Sequence, residues 1–152
     1  MKKSIKTVEI VRLFDTLNKA GYSRLSDNDR IKVWKTMRTM KPVVMKYDED
    51  KKAASNDLMP QGDFILRYQK AQDYEKAEDK STAKMTQEEY ADFIKEFTSF
   101  ANLVNKAIKE LGNITAEIDV YPLDEEGFSR LMASNDWTME QVLLIDDFIT
   151  EN

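Results

Sequence analysis

The chain has 152 residues, with 23 Lys plus Arg against 28 Asp plus Glu, four Gly, and neither His nor Cys. That composition excludes a Cys/His zinc site, a disulfide and a Ser-His-Asp or Cys-His nucleophile, and no GxGxxG or GxxxxGKS/T loop is present to cradle phosphate. At 41% hydrophobic and 34% charged, the composition is globular and the length suits one domain, so a single helical domain over 1–152 is expected.

The first six residues are basic, but no apolar stretch follows them, so no signal peptide is expected. Ile10, Leu13, Phe14, Leu17 and Ala20 recur at helical spacing and predict a first helix, with Gly21 as the C′ residue that ends it. Ser26 precedes an acidic, polar run and is the expected N-cap of a second helix. That helix should turn Val33, Met37, Met40 and Val44 inward, with Ile31, Trp34 and Met45 widening the apolar stripe. Pro42 removes one helical hydrogen bond. Because Val44, Met45 and residues 51–54 keep the pattern, a kink is expected there rather than a stop, with fraying before Pro60-Gln61-Gly62.

Residues 63–69 fit two periods: Phe64, Leu66 and Tyr68 alternate as in a strand, whereas Phe64, Tyr68 and Ala71 fit a helix. Residues 70–80 hold helix formers without an apolar face and read as solvated or mobile. Thr86-Gln87-Glu88-Glu89 has the capping-box pattern. Behind it Tyr90, Phe93, Ile94, Phe97, Phe100, Ala101, Val104, Ile108 and Leu111 predict a long apolar stripe, ended by Gly112. Ile114, Ala116, Ile118 and Val120 alternate with polar residues, a half-buried strand closed by Pro122. Its backbone needs a partner, drawn from residues 64–68, the start of the chain or another copy. A short helix over 128–133 follows. A second capping box, Thr138-Met139-Glu140-Gln141, then opens a last helix with Val142, Ile145, Phe148 and Ile149 inward and Trp137 stapled at its start. The longest apolar run, 142–145, is far shorter than a membrane span, so no membrane partner is expected.

The net charge of −5 hides a gradient. Residues 1–46 hold 12 basic and 4 acidic side chains, a net +8; 47–112 hold 10 and 14, a net −4; 113–152 hold 1 and 10, a net −9. Such asymmetry marks either a partner-facing surface or two ends that attract each other, and the second is the simpler reading. In the basic end, Lys32, Lys35 and Lys46, with Thr39 between them and Arg38 at the flank, form a candidate interaction face opposite the apolar stripe of the second helix. Clustered cations and Thr hydroxyls suit phosphate. With Trp34 on the apolar side, however, the face lacks aromatics for stacking bases, and the whole chain is acidic, so nucleic acid is not the favoured partner. In the acidic end, Glu117, Asp119, Asp124, Glu125, Glu126, Asp146 and Asp147 form a second candidate face, presenting charge where phosphates would lie in a basic groove. An ordinary solvated helix face is the simpler reading of the basic residues, and ordinary solubility accounts for the acidic ones equally well.

No catalytic residue, metal site or cofactor site is expected. Carboxylates are too numerous for any pair to stand out, and no GxSxG is present. Asp27-Asn28-Asp29 begins like a calcium loop, but Ile31 stands where an oxygen ligand belongs and the glycine at the sixth place is missing. The succession of elements, with Ile10 to Leu17, Leu111, the alternation through Val120 and Thr138 before Val142 to Ile149, resembles small proteins encoded by tailed phages and prophages. The resemblance carries no established activity; it implies a setting, phage assembly or interference with a host protein, in the virion or the host cytoplasm. Lack of cysteine separately suits a reducing compartment, the cytoplasm.

The expected fold class is mainly α: a helical bundle around a long antiparallel pair, the second helix against the 90–111 helix, with one minor β element at about residues 114–120. The expected function is non-enzymatic protein interaction or assembly through helical surfaces, with an unidentified protein partner or, as a homo-oligomer, with further copies. The alternative is an acidic nucleic-acid mimic or a phosphate-binding nucleic-acid accessory protein.

Overall fold

A computed structural model describes residues 1–151. Among them are six α-helices and two β-strands, in the order β1 (Lys2–Lys6), α1 (Thr7–Asn18), α2 (Asp27–Leu58), α3 (Phe64–Lys76), α4 (Gln87–Asn113), β2 (Thr115–Asp119), α5 (Glu125–Ala133) and α6 (Met139–Ile149). The class is mainly α, with α2 and α4 as the long helices. The chain divides into two compact units. One comprises Met1–Asp50 and the chain from Glu110 onward; the other is Lys51–Lys109. α2 carries the chain out of the first unit and α4 carries it back.

In the first unit β1 and β2 pair antiparallel, with Lys2 opposite Asp119 and Lys6 opposite Thr115. Of the candidate partners for the predicted strand, the start of the chain is the one used. Thr7 extends the junction, its N–H and its hydroxyl both donating to the Ile114 carbonyl, at 2.9 and 2.6 Å. The far edge of β2 is covered by α2. Thr39 Oγ1 lies 3.1 Å from both the amide nitrogen and the carbonyl oxygen of Asp119, and Thr36 Oγ1 accepts the Tyr121 N–H at 2.9 Å. An open strand edge invites a second chain, and here two threonines about one helical turn apart close it.

Ile5, Ile118 and Val120 turn inward from this pair. Ile114, expected to do the same, is exposed, because its N–H bonds back to Leu111 and its side chain follows the helix turn rather than the strand's pleat. Ile10, Leu13 and Leu17 of α1 and Val33 and Met40 of α2 share one core with Leu123, Leu131, Ile145 and Ile149. Each such side chain contributes about 1.5–3 kcal/mol. The caps match the pattern: Ser26 Oγ accepts the Asp29 N–H at 3.2 Å, Asp124 Oδ1 accepts the Gly127 N–H at 2.7 Å, and Thr138 and Gln141 complete a capping box.

Two glycines serve ends other than those expected. α1 stops at Asn18 and is capped by Lys19, while Gly21 lies beyond it, its N–H held by Asn135 Oδ1 at 2.7 Å and its carbonyl accepting from Asn135 Nδ2 at 3.0 Å. Gly112 lies inside α4. A Cβ there would sit 3.2 Å from Val8 Cβ and 3.6 Å from the Tyr47 hydroxyl, so the bare backbone lets the last turn of α4 close on α1 and α2. Pro42 leaves α2 unbroken; it and Arg38, whose carbonyl it deprives of a donor, are both exposed residues.

In the second unit the helical period prevails over residues 64–69. Phe64 and Ala71 are buried while Ile65 and Leu66 face out. The Phe64 ring centroid lies 5.4 Å from those of both Phe93 and Phe100, a tilted and an edge-on contact. Residues 70–76 are part of this packing, for Tyr74 stacks on Tyr90 with centroids 4.5 Å apart. The Thr86 box is closed by the Glu89 N–H at 3.1 Å and the return bond from the Thr86 N–H at 3.4 Å. Gly62, at φ +83, makes the turn between α2 and α3. Arg67 donates to both oxygens of Glu96 and, at 2.9 Å, to Asp63; hydrogen bonding from Arg67 holds the Glu96 carboxyl below the usual carboxylate range.

Thr36→Val keeps the side-chain shape but leaves the partly buried Tyr121 N–H without an acceptor. Chemical denaturation should show a loss of about 1–3 kcal/mol, whereas Thr36→Ser, which keeps the hydroxyl, loses less; equal losses would remove the edge-covering role.

Candidate interaction surface

From Arg30 to Lys46 the chain holds six cations and no carboxylate, and the whole stretch is helical. Val33, Thr36, Met40 and Tyr47 form its buried line. The expected widening of that line is corrected here: Ile31, Trp34 and Met45 are 48, 55 and 52% exposed. The reason is Thr36. Its hydroxyl is needed at the edge of β2, which turns the buried face toward positions 36 and 47 and leaves 31, 34, 38 and 45 on the opposite side of the helix.

The predicted basic face is redistributed by the same rotation. Lys32 and Lys46 lie toward the sheet side and hold Asp29 and Asp50 at 3.9 and 2.7 Å. Lys35 reaches over the Tyr121 ring, Nζ 5.3 Å from its centroid. Arg38 alone of the four stands with the exposed apolar residues, its guanidinium 4.6 Å from the Trp34 ring centroid. Lys41 is exposed beside it, and no carboxylate of the described residues pairs with Arg38 or Lys41. Residues 31–45 thus present an apolar and cationic helix face roughly 21 Å long at 1.5 Å per residue.

The acidic candidates are dispersed. Asp119 accepts the Met1 ammonium at 2.8 Å and Glu117 pairs with Lys2 at 3.3 Å, both across the sheet. Asp124 caps α5, Glu126 pairs with Arg130 at 2.5 Å, and Asp146 accepts the Thr150 hydroxyl at 3.0 Å. Glu125 and Asp146 meet at a shallow groove of about 420 Å³ between α5 and α6, floored by Phe128, Met132 and Val142. Asp147 faces solvent from α6.

Among the described residues no cluster of three or more carboxylates is placed to hold a metal ion, and no helix is long and apolar enough to cross a membrane. The signal for the exposed face was present in the sequence as an anion-free cationic run containing a tryptophan. Reading it required knowing that a threonine, not the tryptophan, points inward. Compared with protein-family models, curated proteins and solved structures, the chain matches none.

If Ile31 and Trp34 are surface groups, replacing either with Ala should change the unfolding free energy by no more than about 0.5 kcal/mol. Met40→Ala should cost about 2–5 kcal/mol. A comparable loss at Trp34 would return that residue to the core.

Proposed function

We propose that this chain is a non-enzymatic interaction or assembly protein that works through its helical surfaces, in the setting of a tailed phage or prophage. One observation carries the reading: α2 displays Ile31, Trp34 and Met45 to solvent beside Arg38 and Lys41, with which no carboxylate of the described residues pairs. Exposed Trp, Met and Arg on one face are the residue types that concentrate binding energy in protein interfaces. Absence of His and Cys from the sequence, and carboxylates already committed to caps and ion pairs, favour binding over catalysis.

A second reading is favoured by the position of Trp34. An exposed indole within a cationic run is what stacking on a single-stranded base requires, so a nucleic-acid accessory role gains support. Acidic mimicry draws less, since four of its seven carboxylates are held by Met1, Lys2, Arg130 and the start of α5.

A photo-crosslinking residue placed at position 34 of the full chain should capture a discrete protein in bacterial cells. The same residue at exposed position 70 should not, and Arg38→Ala should abolish the product. Capture of nucleic acid instead, with binding that falls steeply as salt rises, would establish the second reading; capture of neither would end both.

A further inference from the structure

The first unit carries a second patch whose chemistry is the converse of the α2 face. Along α6, Met139 and Leu143 are 70 and 55% exposed, and Asp147 follows Leu143 at the next i+4 position. Glu140 is exposed beside them, as is Asp136 just before the helix. From Leu131 to the end of the chain there is no Lys or Arg. Lys3 reaches this end of α6, but its Nζ is bound to the backbone carbonyls of Asp147 and Phe148, at 3.4 and 3.1 Å. It therefore satisfies the helix terminus; at the other end Lys19 lines the groove beside Asp136 but is paired with Asp15, and among the described residues no cation pairs with Glu140 or Asp136.

Both patches are rows of large apolar side chains at helical spacing; residues 31–45 of α2 add only cations to theirs, with Asp27 and Glu49 beyond its two ends, and residues 136–147 add only carboxylates. Each is solvent-facing within one compact unit, so neither covers the other. We infer that the α2 face of one copy docks on the α6 face of a second copy of this chain. The inference rests on the interaction reading above and names its partner.

Charge complementarity selects that occupant. Two α2 faces brought together would set Arg38 and Lys41 against like charges, and two α6 faces would set Glu140 and Asp147 against theirs, which disfavours a two-fold contact through either patch. The contact is therefore heterologous: every copy uses one patch of each kind, and the chain of contacts closes into a ring or extends as a filament. Apolar burial of Trp34, Met45, Met139 and Leu143 provides attraction that salt does not screen, while the charged edges set register and polarity.

The test uses the purified full chain. Sedimentation velocity at low ionic strength should show an average mass that rises with concentration, and added salt should lower it. Trp34→Ala with Arg38→Ala removes one patch, and Glu140→Ala with Leu143→Ala removes the other; all four side chains are exposed, and unchanged thermal melts would verify folding. Each double variant alone should be monomeric. Mixed, they should form a one-to-one dimer and nothing larger, because only one complementary pair of patches survives. A wild-type chain that stays monomeric at every concentration and salt overturns the inference, as do variants that fail to pair when mixed. If the chain is monomeric yet position 34 still crosslinks to a different protein, the self-docking inference falls while the interaction reading stands. If position 34 captures neither a copy nor another molecule, both fall.

Discussion

The first unit depends on one antiparallel pairing between strands more than 100 residues apart, Lys2–Lys6 and Thr115–Asp119. A two-stranded ribbon is marginal by itself, and this one is held on both remaining flanks. Above it, Thr7 ties the start of α1 to Ile114, where α4 ends. At its open edge, Thr36 and Thr39 supply from α2 the hydrogen bonds that a third strand would otherwise make. The consequence travels through α2: because two threonines must face the sheet, the helix is rolled so that Trp34, Arg38 and Met45 face water. The exposed surface is thus a by-product of how a strand edge was closed.

The charge gradient is partly consumed by the same pairing. The Met1 ammonium and Lys2 meet Asp119 and Glu117 across the ribbon, so the two oppositely charged ends of the chain do lie together. Both of those ion pairs are solvent-exposed, where an ion pair is worth at most about 1 kcal/mol; register comes from the backbone ladder and the buried Ile5 and Ile118. What the ribbon leaves over is the cationic run on α2 and the cation-free α6, and each of these helices shows some large apolar residues to solvent besides those it buries. Net charge describes neither.

Much of the fold was legible because it follows from local rules. Ser26, Thr86 and Thr138 cap helices as their spacing requires, since a hydroxyl three residues before an amide reaches it whatever surrounds the turn. The 3.6-residue stripes placed α1, α4 and α6. Local rules gave the wrong answer, or left two open, where two parts of the chain had to meet. Gly112 looked like a terminator but is a site of close approach to Val8; Ile114 looked like a strand residue but belongs to a helix end. Residues 64–69 carried both periods, and only the ring of Phe64 against Phe93 and Phe100 chose the helix.

The candidate surface divides along the same line. The sequence by itself determined that residues 30–46 form a helix bearing six cations and no anion, that residues 139–149 form an acidic one, and that no His or Cys chemistry is available. Those are statements about composition and spacing, which no tertiary contact can alter. Only the tertiary structure decided which side of each helix is displayed. On α2 the apolar residues nearly encircle the axis, so periodicity alone leaves the rotation open. The unsatisfied amides of Asp119 and Tyr121 settle it by drawing Thr36 and Thr39 inward, a demand that originates some 80 residues away.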